Sequence, residues 1–458
     1  MKLKFALMAS LLSLTATPAL ADDGAVLYNS ASIAKYVPSQ LKRQQSDHYR
    51  ALFSAMSTNH WDTAKNLMDT APTGPLKSIA QAEYFLAANS PRAELGPLLT
   101  LVNEAPQIPQ AAQLGRLAQK RGAQLLPNLP QRRNLSWIPG SPIRSKPKDV
   151  DSDSAANNVR GQIIDFIKND NPQGAEELLS ASAMQMSSEG RTELEQRIAW
   201  SYYIENDDSS ALRLARVAQN GSGEWVGHAN WVAGLSAWRL NDCRSASTAF
   251  EKVGRSAANV DLQAAGLYWS ARSDLKCGQP EKVQGKLQAA ARFDDSFYGI
   301  LAAQTLGMEA NKSEQTESFE KSDWRALERH ENVRAAIALV EIGEERLADE
   351  VLRHQATIGE GSDHPALIKL ARELDLPRTQ LWLAHNAPRG MKPDIQARFP
   401  APKWKPDGGW RVDPALIYAH TLQESAFRSQ VVSPANAIGL MQVRPGTAGD
   451  IARANGMN

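Results

Sequence analysis

Cysteine is almost missing from this chain of 458 residues. There are two, Cys243 and Cys277, so one intramolecular disulfide is the most it can form. Neither lies near a Cys/His cluster with zinc-ligand spacing, and the eight histidines are scattered. No metal site is read, and no cofactor is implied. A charge excess is missing as well, with 51 basic against 50 acidic residues and a formal net charge of +1. That balance excludes the strongly basic face by which proteins displace counterions from nucleic acid. After the first residues no apolar run is long enough to span a bilayer as a helix. Alternating β-type runs are scarce too, which leaves an all-α chain as the expectation.

What is present begins with a targeting pattern. Lys2 and Lys4 precede the apolar run 5–14, and Ala19-Leu20-Ala21 offers a small-x-small cleavage site. Residues 1–21 therefore read as a Sec-type signal peptide, cut after Ala21 so that the mature chain starts at Asp22. Losing Lys2 and Lys4 takes the net charge from +1 to −1, by removal of two positive charges. No cysteine follows the cleavage site, so a lipid anchor there is not expected. The mature protein is expected outside the cytoplasm, not spanning a membrane, where oxidising conditions favour a disulfide.

From about Gln40 onward, apolar residues recur at intervals of three and four among abundant Ala and Leu. Turn-like dipeptides punctuate this pattern. Asn169-Asp170, Asn206-Asp207, Asn241-Asp242 and Cys277-Gly278 follow one another at spacings of 37, 35 and 36 residues. Ala175, Ala211 and Ala246 sit just past the first three, where a following helix packs closely. Asn59 with Ala64 and Gly343 with Ala348 repeat the offset. A period near 35 built from helix, turn and helix is the mark of a tetratricopeptide-like α-superhelical solenoid. Successive turns of a solenoid stack along one edge. Cys243 and Cys277 could then meet in a disulfide, or remain as two buried thiols. The aromatics Trp200, Tyr202, Trp231, Trp238, Tyr268 and Trp269 could form a sugar-stacking surface. The commoner fate of large rings at helical spacing is to wedge between helices.

Two segments rich in proline interrupt the helices. The resulting organisation is a signal peptide at 1–21, a helical segment at 22–126, a Pro/Ser-rich connector at 127–156, the repeat region at 157–387, a Pro/Gly-rich boundary at 388–410 and a distinct segment at 411–458. The last segment opens sharply. Asp413 can cap free amides, and Pro414 suits the first helical position. The helix runs to Glu424-Ser425, with Glu424 on the face of Ile417 and His420. A carboxylate beside an apolar face is expected to be partly desolvated, which favours its protonated form. An irregular stretch, Ser433-Pro434-Ala435-Asn436-Ala437-Ile438-Gly439-Leu440-Met441-Gln442, follows. Pro445 and Thr447-Ala448 then open another helix.

In this order and spacing, these motifs resemble the soluble lytic murein transglycosylases. The likeness runs from Phe399-Pro400-Ala401-Pro402-Lys403-Trp404 through Glu424-Ser425 and the Gly439-Leu440-Met441-Gln442 run to Pro445–Ala448. It implies the N-terminal part of a lysozyme-like domain after an α-superhelix, in a periplasmic enzyme acting on peptidoglycan glycan strands. Other cell-wall proteins are further conceivable partners. It implies Glu424 as sole acid and base, cleaving the bond between N-acetylmuramic acid (MurNAc) and N-acetylglucosamine with a 1,6-anhydro product. Ser425, Gly439, Leu440, Met441 and Gln442 would bind substrate. Asn436 stands where the family more often has glycine. The sequence ends at Asn458, before the family's Ala-Tyr-Asn-Ala-Gly-type motif, so the resemblance implies a truncated member, weakly active or inactive. Two other readings stand beside it. A lysozyme-like hydrolase needs a second carboxylate, and Asp450 is the only acidic residue after Glu424. The other is a non-catalytic periplasmic scaffold using the solenoid as a binding surface.

Overall fold

The computed structural model describes residues 36–308 and 318–457. The expected leader and its cleavage point lie outside the described residues. The chain is all-α. Regular strand among the described residues is confined to two two-residue segments, Ser136–Trp137 and Asn386–Ala387. No helix among them is long and apolar enough to cross a membrane.

In chain order the helices begin with α1 (Arg43–Ser57), α2 (Trp61–Asp69), α3 (Lys77–Leu86), α4 (Leu95–Glu104) and α5 (Ala111–Lys120). After an irregular stretch come α6 (Ser154–Lys168), α7 (Pro172–Ser182), α8 (Ser188–Ile204), α9 (Asp208–Ala218), α10 (Trp225–Arg239), α11 (Cys243–Ser256), α12 (Val260–Lys276), α13 (Val283–Ala291) and α14 (Phe297–Thr305). Then follow α15 (Lys321–Leu327), α16 (Glu331–Ile342), α17 (Glu345–Ile358), α18 (His364–Glu373) and α19 (Pro377–His385), and finally α20 (Pro414–Ser425) and α21 (Pro445–Ala454).

Helices α6 to α14 form one compact unit, the described residues 137–308 with 392–398. One backbone device joins its helix pairs. At Asp170, Asn206, Asn241 and Gly278 the chain takes left-handed φ values of 55°, 64°, 61° and 71°. The next amide reaches back five residues, Asn171 to the Phe166 carbonyl, Asp207 to Tyr202, Asp242 to Ala237 and Gln279 to Asp274. This is the six-to-one bond of a Schellman ending, which satisfies a carbonyl the helix leaves open. Asn, Asp and Gly recur there because they tolerate left-handed geometry at least cost. Asn171, Asp207 and Asp242 then cap the next helix, each accepting an amide bond three residues on. Ala175, Ala211 and Ala246, all fully buried, let the paired helices approach.

Longer side chains tie one repeat to the next. Arg239, closing α10, donates to the Asn206 side chain at 3.0 Å and lies over the Tyr203 ring. Lys276, closing α12, donates to Asn241 at 2.7 Å and lies over Trp238. At the same edge Cys243 and Cys277 are joined in a disulfide, with Cα atoms 5.6 Å apart. Tyr202 and Trp231 are buried in the core, while Trp238, Tyr268 and Trp269 are half-buried. Only Trp200 among the six is exposed, stacked on Tyr203. The wedge reading fits most of these rings. Helices α11 and α12 approach closely, and a Cβ on Gly266 would stand 2.6 Å from the Gly254 amide nitrogen.

The stretch before α6 is extended, and from Pro139 to Asp151 it is bound along the helices of its unit. The Val150 amide donates to Glu193 Oε2 at 2.7 Å, and the Val150 carbonyl accepts from Arg160 at 3.0 Å. Glu193, with no exposed surface, is also paired to Arg160 and Arg197 at 2.8 and 2.9 Å. Trp225 Nε1 donates to the Lys148 carbonyl, Asn259 to that of Ile143, and Arg144 pairs with Asp261. Buried or half-buried backbone without a helix must find such partners.

The expected repeat region at 157–387 does not stay together. Residues 318–391 form the other compact unit with the described residues 36–136 and 399–457. The physical reason lies in particular contacts. Glu341 on α16 accepts from the Gln40 and Leu41 amides at 2.7 and 3.0 Å, ahead of α1. Arg50 donates to the Glu341 carbonyl, and Asn332 to that of Gln107. The turns at Asn59, Gly343 and Asp375 are left-handed like those of the other unit, with the same five-residue amide bonds after them.

Two outcomes are expected in solution. Reducing the disulfide, or replacing Cys243 by Ser, should lower stability by about 2–4 kcal/mol, read from the denaturant midpoint with and without reductant. Asp242→Ala should cost about 1 kcal/mol through loss of the cap. Hydrogen bonds from the side chain and backbone of Ser245 hold the Asp242 carboxyl below the usual carboxylate range. Its stabilisation is therefore present above the unfolded-state pKa and lost as pH falls through the lower folded-state value. Midpoints of wild type and Asp242→Ala should converge in acid.

Candidate active site

Helix α20 begins as its residues dictate. Asp413 accepts from the Ala415 amide at 2.9 Å, and Pro414 occupies the first helical position. The proline-rich lead-in holds the helix from one side. Tyr418 Oη donates to the Pro402 carbonyl at 2.6 Å, and Trp404 packs near both Tyr418 and Phe427. Trp410 adds an edge contact to Tyr418, and burial pushes the Tyr418 phenol up. The Lys403 amide is anchored on Asp375 at 2.9 Å, with its ammonium 3.4 Å from Glu373. These bonds fix the lead-in to the turn between α18 and α19.

The helix ends abruptly just after Glu424-Ser425. Ala426 and Phe427 both take left-handed φ values, 50° and 60°. Such values are unusual for a bulky residue. Phe427 is nonetheless buried, so its packing against Trp404 holds the reversal in place. Ser425, also buried, donates to the Thr421 carbonyl at 3.1 Å, and Arg428 Nε donates to the Ser425 carbonyl at 2.8 Å. Glu424 is thus carried on the last turn of a helix whose end is closed by its neighbours.

The stretch 431–443 folds into a small bridged loop. Ile438 exchanges both backbone bonds with Val443, and the Gly439 amide donates to the Val431 carbonyl at 2.9 Å. Gly439 has a φ of 74°, which a side chain would strain. The Ser433 hydroxyl accepts from the Ala437 amide, closing the turn that contains Asn436, whose φ is 58°. Asparagine there takes the left-handed geometry at little cost. Gln442, also left-handed, donates its amide to the Gly439 and Val431 carbonyls at 2.8 and 3.2 Å.

The structure brings part of the expected set together. The Thr421 hydroxyl donates to Met441 Sδ at 3.4 Å, joining the Gly-Leu-Met-Gln loop to the helix of Glu424 one turn before the carboxylate. Ser425 faces inward, while Glu424 and Met441 are exposed and Leu440 is half-buried. The expected desolvated setting for Glu424 is not found among the described residues. Its helix buries only Thr421 and Ser425, and Leu416 and His420 are exposed with it. Asp450, the acidic residue that follows Glu424, is paired with Arg453 at 2.6 Å on the surface of α21. No group of three or more His, Cys, Asp or Glu suited to a metal occurs among the described residues. Sequence reasoning missed Thr421 and Arg428. A threonine three residues before Glu424 and four before Ser425 was a usable signal, because that spacing shares a helix face.

Comparison with known proteins bears on this same segment. The family described as the Transglycosylase SLT domain matches residues 405–458. No curated protein matches the chain. Among solved structures, an inactive mutant of the lytic transglycosylase Slt from Pseudomonas aeruginosa aligns at 20% identity and a TM-score of 0.46, covering 90% of this chain and 59% of that one. The 70 kDa soluble lytic transglycosylase SLT70 from Escherichia coli aligns at 15% identity and a TM-score of 0.44, covering 90% of this chain and 82% of its own. The chain therefore spans under two thirds of the length of the first of these.

Asn436→Gly is expected to leave stability unchanged or slightly raised. Asn436→Val should cost about 1–2 kcal/mol, since a β-branched residue resists left-handed geometry. Equilibrium denaturation followed by tryptophan fluorescence, in variants keeping only Trp404 and Trp410 of the eleven where the signal must be local, measures both.

Proposed function

Starting from an SLT-type transglycosylase segment at residues 405–458, we propose that this protein is a periplasmic lytic transglycosylase of peptidoglycan with Glu424 as its single acid and base. The observation that carries the reading is the placement of Glu424 on the closed end of α20, beside a Met441 loop pinned to the same helix through Thr421. In this reading Glu424 starts protonated and gives its proton to the glycosidic oxygen between MurNAc and N-acetylglucosamine. The C1–O4 bond breaks, and the leaving sugar departs as an alcohol. The Glu424 carboxylate then takes the proton of the MurNAc C6 hydroxyl while O6 bonds to C1. The product is a 1,6-anhydro end, the acid is restored, and no water is consumed.

Several observations support this division of labour. A single carboxylate serves both steps only if it is firmly held, and bonds from Ser425, Arg428 and Phe427 close its helix end. Glu424 is open to solvent, so in this reading the glycan strand itself covers it and excludes water. Met441 offers an adaptable apolar contact to a sugar face. The Gln442 amide group is engaged within its own loop, so its part is to hold Met441 and Leu440 in place. A hydrolase would need a second carboxylate to activate water, which this division of labour does not use.

The test uses purified sacculi with the wild-type protein and with Glu424→Gln. Released muropeptides should end in 1,6-anhydro-MurNAc, lighter by one water than the hydrolysed form, and mass spectrometry detects this at low turnover. Glu424→Gln should reduce their release by several orders of magnitude with glycan binding retained. Reducing ends as the main product would make it a hydrolase. Undiminished release by Glu424→Gln would remove Glu424 from the role, and glycan binding without any cleavage would favour a scaffold.

A further inference from the structure

A second recess lies far from Glu424 in sequence, where α3, the loop after it and the last turns of α5 meet. It is an open, shallow recess of about 650 Å³. Its lining holds four cations, Arg92, Arg116, Lys120 and Arg121, and no carboxylate. Phe85 and Leu117 give it an apolar wall. Arg121 Nε donates to the Ala93 carbonyl at 3.2 Å, which pins the loop over the recess. Arg92, Arg116 and Lys120 are exposed and have no ion-pair partner among the described residues.

That concentration departs from the chain as a whole, where 51 basic residues are offset by 50 acidic ones. Lys120 and Arg121 have an ordinary explanation, since cations favour the C-terminal end of a helix. Arg116 does not. It stands one turn before Lys120, and like charges four apart on a helix repel. Arg92 approaches the same space from the loop. Unpaired like charges around a concave surface focus potential toward an anion.

The chemistry of the anion can be narrowed. Compact phosphate groups favour helix N-termini, where amides point outward. This recess is formed by the C-terminal ends of α3 and α5, whose carbonyls carry partial negative charge. A dense anion is disfavoured there, whereas carboxylates spread along a chain can each meet one guanidinium or ammonium. We propose that the recess binds a short acidic peptide, its carboxylates held by Arg92, Arg116 and Lys120 and an apolar side chain seated on Phe85 and Leu117. The choice among such peptides rests on the function proposed above, because the stem peptides of peptidoglycan carry free carboxylates beside alanine methyl groups. The recess would then hold the substrate by its peptide, apart from the bond that is cut.

Titration calorimetry on the full chain tests this with three probes: a cell-wall stem tetrapeptide, the same peptide with its carboxyl groups amidated, and inorganic phosphate. The free-carboxyl peptide should bind, more weakly as salt rises. Amidation and the pair Arg116→Glu with Lys120→Glu should each weaken binding roughly tenfold or more. Arg92→Gln, in an exposed loop where folding is least at risk, should weaken it by a smaller factor. Arg116→Lys with Lys120→Arg should restore most of it. Equal binding of the amidated peptide, equal binding by the Glu variants, or phosphate binding as tight as the peptide would each overturn the proposal. Calorimetry needs no cleavage, so the two readings fail separately. A chain that binds the peptide but yields no anhydro ends loses only the catalytic reading. One that yields them without binding the peptide loses only this one.

Discussion

A backbone amide that reaches back five residues to an otherwise open carbonyl is the interaction on which the helical architecture depends. It requires one residue in left-handed geometry at every second helix end from α6 to α12, and the chain supplies Asn, Asp or Gly there. Once the reversal is set, the next residue is in place to cap the following helix, as Asp207 and Asp242 do. The alanines a few residues later then fall at the helix crossing. Turn, cap and close approach are therefore one local event repeated along the chain, and they need no long-range contact to begin. Arg239 and Lys276 convert that local event into a lateral one by binding the left-handed asparagine of the preceding repeat.

Where the device is absent, side chains take over its task. The extended residues before α6 have no ladder of their own, and their backbone groups are satisfied by Glu193, Arg160, Trp225 and Asn259. Glu193 is the most demanding of these. A buried carboxylate is costly unless paired, and its two arginines and one amide together meet that need. The end of α20 follows the same logic by different means. Phe427 holds an unfavourable backbone conformation because its ring is buried near Trp404, and the exposed Glu424 gains a fixed position from that packing.

Local chemistry was the legible part of the sequence. The dipeptides around Asn206 and Asn241, the alanine offset, the Asp413-Pro414 helix start and the Glu424-Ser425 to Gln442 run all depend on residues within a few positions of one another. What could not be read depends on distant partners. The pairing of residues 318–391 with the N-terminal helices rests on bonds such as that from Leu41 to Glu341, which no periodicity announces. The desolvated setting expected for Glu424 failed for a related reason: helical spacing places His420 and Ile417 on its face but says nothing of what covers that face. The link from Thr421 to Met441 and the inward turn of the Gln442 amide lay beyond a reading that treated each motif by itself.

The discontinuous helical unit has a consequence for how the protein comes into being. Residues 40 and 41 await Glu341, 301 and 300 positions away, so α1 leaves the ribosome long before its acceptor exists. The intervening helices α6 to α14 close on neighbours only a repeat away and need not wait. Assembly should therefore run from the middle outward: the central solenoid sets first, and the two flanking pieces meet last. A long separation between partners slows their meeting. During that interval the face that α1 turns toward α16 stays uncovered. For a newborn chain, the hazard of misassociation is thus concentrated on that face of α1, where Leu52 and Phe53 are buried once the protein is finished.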